Sequence, residues 1–155
     1  MRLRATAYLS SALPPLPLVT SVRAVVLRAG TVLVQQDRDL RHILPGGRRE
    51  GPETLEETLR REVAEETGWS LGAIHPLGFI HFEHLDPRPA GYAYPHPHFL
   101  HRVYAASVGA PVPEAKLDDG YEVGTAFLPI AAVRRLPLKA IERLYLDASV
   151  GVQGQ

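Results

Sequence analysis

Cysteine is absent from the 155 residues. Its absence excludes disulfides, thiolate-ligated zinc and thiol nucleophiles, and it fits a cytoplasmic protein. A net charge is absent too, since 17 Lys and Arg balance 17 Asp and Glu. Nothing then draws the chain as a whole to nucleic acid or an anionic membrane, so no stable nucleic-acid binding is expected. Long apolar runs are missing: no stretch approaches the roughly 20 apolar residues of a membrane-spanning helix. Arg2 and Arg4 precede a mildly apolar start, but Pro14, Pro15 and Pro17 break it before a secretory core forms. No internal repeat is evident.

What is present is ordinary globular material, 45% hydrophobic and 22% charged, at the length of one domain. Residues 1–20, with SALPPLPL, read as an N-terminal extension; 21–150 read as the folded domain and 151–155 as a tail. VRAVVLRAGTVLVQQ (22–36) places two β-branched runs around Ala29-Gly30, a hairpin pattern. The Gly- and Pro-rich segment that follows reads as a structured loop. A helix is expected from about Thr54 to Thr67, with a Thr54–Glu57 capping box and Gly68 as its stop. Strands are expected at 74–84, 98–108 and 122–128, and a long proline- and aromatic-rich loop at 85–97. Pro129 opens a short helix, and 138–149 forms a last one. Strands and helices mix without strict βαβ alternation, which predicts an α/β (α+β) chain with helices packed on a mixed sheet.

REVAEETG (61–68) puts Glu62, Glu65 and Glu66 on one helical turn. With Glu62 as origin, the apolar Leu55, Leu59 and Val63 lie about 20°, 60° and 100° round the helix. Glu66 falls about 40° away on that same side, and Glu65 about 60° on the other. Two of the carboxylates thus overlap the apolar stripe, where an unpaired charge is costly. Cationic side chains such as Arg60 and Arg61 would relieve them, or a hard divalent cation would. From this pattern alone, an acidic surface helix and a cation site remain equal alternatives.

The wider spacing resembles a known family. Gly47, five residues, Glu53, seven residues, then Arg61-Glu62-Val63-Ala64-Glu65-Glu66-Thr67-Gly68 match the Nudix box of the Nudix (MutT-like) hydrolases. Trp69 follows where an aliphatic residue is more usual. LPGG before the box, the 22–36 strands and EVGTAFLPIAAV extend the likeness over about residues 21–135. The resemblance implies an α/β/α sandwich with a mixed β-sheet. It implies a hydrolase using Mg²⁺ or Mn²⁺ to cleave the diphosphate bond of a small-molecule nucleoside diphosphate derivative. By position, Glu53, Glu62, Glu65, Glu66 and the Gly47 carbonyl would hold metal. Arg61 would fix a catalytic glutamate by an ion pair. The proton-accepting base stays open between Glu62 and Glu122. The alternative is a non-catalytic Nudix-fold nucleotide sensor or binding module, which usually lacks a box glutamate. An isomerase of isoprenoid diphosphates would need a cysteine. A homodimer is compatible with the resemblance.

Candidate substrate contacts are Arg48 and Arg49 in the box loop, and His81, Glu83, Tyr94 and His98 bordering a cleft. The seven histidines show no zinc spacing. The downstream marks of the NADH, ADP-ribose and diadenosine polyphosphate hydrolases are missing, so the substrate stays at the level of a class.

Overall fold

The computed structural model of the protein describes residues 2–117 and 122–153, with Glu122, Val123 and Gln153 described through their backbone alone. The turn expected at Asp118 and Asp119 lies outside the described residues. Eight strands and three helices follow in order: β1 Leu3–Leu9, β2 Val19–Arg28, β3 Thr31–Asp37, β4 Arg41–His42, β5 Gly46–Arg48, α1 Leu55–Thr67, β6 Trp69–His84, β7 His98–Pro111, β8 Glu122–Pro129, α2 Ile130–Arg134 and α3 Ala140–Gln153. Among the described residues no helix is long and apolar enough to cross a membrane.

The strands form one sheet in the order β1-β6-β7-β2-β3-β4, with β5 on β2 and β8 on β3. β2 and β7 run parallel and the other pairs antiparallel, which makes the sheet mixed as expected. Both faces are covered. Val22, Ala24 and Val26 of β2 pack with Leu55, Leu59 and Val63 of α1. Val25 and Leu27 face the other way, toward Tyr145 and Leu146 of α3. A strand buried on both sides reads as an unbroken apolar run, which is why 24–27 shows no alternation.

The helix carrying the acidic turn is specified locally. Thr54 accepts from the Glu57 N–H at 3.1 Å while the Glu57 carboxylate accepts from the Thr54 N–H at 3.3 Å. At the other end Gly68 adopts φ 76°, a left-handed conformation that stops the helix. The register of α1 is thereby fixed at both ends, and with it the direction of each glutamate.

Four elements differ from the sequence reading. β6 starts at Trp69 rather than 74, because register shifts between Trp69 and Gly78 break the period of two that a strand normally shows. The box loop contains β4 and β5, whose two or three residues carry no pattern at all. The stretch read as an N-terminal extension supplies β1, which pairs along its whole length with β6 from Leu3↔His84 to Leu9↔Gly78. α3 anchors this edge: the buried Tyr145 hydroxyl lies 3.0 Å from the Tyr8 carbonyl and 2.9 Å from that of Phe79.

Gly78 makes the β1 pairing possible. A Cβ there would collide with the Tyr8 carbonyl oxygen and stand 3.1 Å from the Leu9 Cα. Gly78→Ala is expected to destabilise the fold by about 2–4 kcal/mol in urea denaturation. Amide exchange should rise in β1 first. Unchanged protection of residues 3–9 would show that this close approach does not hold the strand.

Candidate active site

A fork in the sheet creates the site. β2 pairs with β3 only at Leu27↔Val32 and Arg28↔Thr31; toward its start it pairs instead with β5, at Ser21, Val22 and Arg23. Gly46 sits in that fork at φ 152°, and a Cβ on it would strike the Val22 carbonyl. Gly47 is bare for a second reason: a Cβ there would enter the Glu62 carboxylate. The Glu66 carboxylate accepts from the Gly46 N–H at 3.2 Å. The two glutamates that overlap the apolar stripe therefore turn onto the Gly46-Gly47 backbone, where no side chain intervenes.

Arg61 gathers the rest. Its Nε donates to Glu53 at 2.7 Å, and one terminal nitrogen donates to Glu62 at 2.9 Å and Glu65 at 3.2 Å. The other donates to Glu53 and to the Arg48 carbonyl, both at 3.0 Å. A guanidinium has five N–H groups, and here each has an acceptor. The Arg61 hydrogen bond, above all, holds the Glu53 carboxyl down at about 2, and Glu53 raises the pKa of Arg61 in turn. Arg61 thus ties the box loop to α1.

Glu66 stands apart from that network. Burial pushes its carboxyl up to about 7, against the Gly46 N–H and the nearby Arg23, with Glu62 pushing it up further. Arg23 is half-buried, donates to the Leu44 and Gly46 carbonyls, and is itself shifted down by burial. Among the described residues no three acidic or histidine side chains are gathered into a ready metal centre. The donor set nonetheless fits a hard divalent cation. Its members are carboxylate oxygens and a glycine carbonyl, and Glu66 is a partly buried carboxylate whose pKa is raised by desolvation despite the nearby Arg23.

The expected substrate residues divide. Arg48 lies over the Tyr94 ring, 4.0 Å from its centroid, and both line a narrow cavity of about 160 Å³ with Arg23, Tyr92 and His101. Arg49 lines a different surface cavity beside Leu13 and Glu53. His81, Glu83 and His98 are not brought into the Arg23 cavities. Ile80 and Phe82 line the larger of these, so strand alternation sends His81 and Glu83 to the opposite face. There the His81 and His98 rings meet at 3.0 Å and Glu83 pairs with Arg4. Glu122 begins β8 opposite Asp37, and its side chain lies outside the described residues. Sequence reasoning missed Arg23, whose signal was a lone cation inside the apolar run VRAVVL.

Glu66 generates a pH test on the metal-free protein. Its folded pKa of about 7 lies above the ordinary glutamate value of 4.5. The folded state therefore keeps a proton that the unfolded chain has lost, and the stabilisation from it, complete below 4.5, disappears as pH rises through about 7. Glu66→Gln has no such loss. In EDTA at pH 8 it is expected to be more stable than the parent by about 1–3 kcal/mol, with the gap closing near pH 4.5. A gap that stays constant across that range in urea denaturation would contradict the desolvation of Glu66.

With this geometry in view, comparisons with known proteins place the chain. A family model described as the NUDIX domain matches residues 17–148. No curated protein matches. The fold is similar to that of a NUDIX hydrolase from Nitrosomonas europaea, at 20% identity over 86% of this chain and 90% of that one, with a TM-score of 0.64. A variant of the Bacillus subtilis pyrophosphohydrolase BsRppH is similar at 21% identity over 97% and 92%, with a TM-score of 0.67. The NUDIX domain of Shewanella oneidensis NrtR, complexed with ADP ribose, is similar at 20% identity over 87% and 88%, with a TM-score of 0.63. The chain belongs to the NUDIX domain family.

Proposed function

We propose that the protein is a Mg²⁺- or Mn²⁺-dependent hydrolase that cleaves the diphosphate bond of a nucleoside diphosphate derivative. The observation that carries this reading is the single helical turn that lays Glu62 and Glu66 on the Gly46-Gly47 backbone while Arg61 links Glu62 and Glu65 to Glu53. Glu53, Glu62, Glu65, Glu66 and the Gly47 carbonyl would hold the cation. When bound, it would neutralise phosphate charge and acidify a water.

The chain's own residues supply the rest. Arg23 and Arg48 line the adjoining cavity and are placed to pair with phosphate oxygens. Arg61 keeps the carboxylates oriented so that they need not reorganise during the reaction. Water oxygen forms a bond to phosphorus as the bridging P–O bond breaks. The water proton goes to a carboxylate, with Glu62 and Glu122 as the candidates. A nucleoside monophosphate and a phosphorylated second fragment leave.

A nucleotide-binding module without turnover is a second reading. One observation favours it: Arg61 already engages Glu53, Glu62 and Glu65. A product-identified screen decides between the two. It spans nucleoside triphosphates, nucleotide sugars, ADP-ribose, dinucleoside polyphosphates and coenzyme A, each with Mg²⁺, Mn²⁺ and EDTA. Turnover is expected only with a cation, and Glu66→Gln is expected to lower it by about 100-fold or more. Full activity in that variant would remove the proposed site. Binding with no turnover anywhere would select the module.

A further inference from the structure

Two cavities meet on the α3 face of the sheet, and His101 stands in the wall of both. The larger, about 420 Å³, is walled by apolar side chains such as Ile80 and Phe82; the smaller contains Tyr92 and Phe99. Arg23 also belongs to both, and it lies in the field of Glu66 and Glu62. Arg23 and His101 are thus common walls of both cavities, and Arg23 is the wall residue that feels the site's carboxylates.

His101 is partly buried and packed between aromatic rings. Its ring centroid lies 4.6 Å from that of Phe82 and 5.8 Å from that of Phe99. Among the described residues neither ring nitrogen has a hydrogen-bond partner. Burial, with Arg23 and Arg48 nearby, holds its pKa down at about 3. The imidazole is thus neutral and offers one N–H donor and one acceptor. A phosphate, which only accepts, satisfies half of that pair at most, and the two arginines suit it better. The edge of a flat heteroaromatic ring can bond one of the two imidazole nitrogens, as donor or as acceptor, while its faces cover the aromatic walls.

We infer that His101 is a specificity-determining residue that hydrogen-bonds the base of the bound nucleotide, while Arg23 and Arg48 take the phosphates. This rests on the reading of the site as one for nucleoside diphosphate derivatives. The residue lies on the strand after the long loop, and a single histidine there carries no motif, so no family pattern points to it.

The test uses the full chain in magnesium buffer. AMP, GMP, UMP, CMP and ribose 5-phosphate, which have no diphosphate to cleave, are titrated by calorimetry into the parent, His101→Phe and His101→Gln. At least one mononucleotide should bind more tightly than ribose 5-phosphate. His101→Phe keeps the aromatic packing and should weaken that binding roughly threefold to tenfold. His101→Gln keeps an uncharged donor and acceptor and should restore most of it. Ribose 5-phosphate should bind all three alike, and melting temperatures report that each variant is folded. The reverse order, with Phe retaining affinity and Gln losing it, would mean a packing role and overturn the inference. So would mononucleotide binding no tighter than that of ribose 5-phosphate, or no mononucleotide binding at all. A His101-dependent base preference without any diphosphate turnover would leave this inference standing and remove the hydrolase reading. Turnover with no His101 dependence would do the opposite.

Discussion

The Arg61 guanidinium is the interaction on which the site depends. Three carboxylates converge on it, and so does the Arg48 carbonyl of the box loop. Remove its charge and Glu53, Glu62 and Glu65 repel one another within one turn and one loop. Its planar fork matters as much as its charge. A lysine has three donors on a flexible stem and does not reach five acceptors at once. The network also sets register between segments that share little else, since the box loop has only the short strands β4 and β5 with which to hold itself.

The second constraint is the fork between β2 and β3. Continuous pairing there would have filled the space that Gly46 and Gly47 occupy. Because the strands part, bare backbone is exposed to α1, and Glu62 and Glu66 come to lie on it. The same parting leaves Glu66 poorly hydrated, which is why its carboxyl rises while that of Glu53, a few ångströms from a guanidinium, falls. Glu53 and Glu66, two glutamates of one motif, thus acquire opposite shifts through position alone. Arg23 crosses from the fork to the α3 face and joins the carboxylates to the cavities beyond.

Much of this was legible in the residues. The capping box at Thr54–Glu57 and the stop at Gly68 fixed the phase of α1, so the lean of Glu62 and Glu66 toward the apolar side followed from counting degrees. The hairpin at Ala29-Gly30 and the helix after Pro129 followed from turn chemistry of the same local kind. The early start of β6 did not, because its bulges are imposed by β7 rather than by its own sequence. The faces of β6 and β7 did not either. His81, Glu83 and His98 sit near Phe82 and His101 in sequence, yet alternation and packing send the two groups to opposite sides of the sheet.

By itself, then, the sequence determined the helix, its caps, the set of oxygen donors at fixed intervals and the class of fold around them. Those are properties of neighbours within a few residues, or of a motif whose spacing is its signature. Only the tertiary structure decided that Arg61 would serve three glutamates together, that Glu66 would be the desolvated one, and that Arg23 and His101 would line the same two cavities. The first depends on how the box loop folds back onto α1; the other two depend on residues far apart in the chain, brought together by strand order and by which face a strand turns to the helix above it. Local pattern carries no record of such distances, whereas burial and charge respond to nothing else.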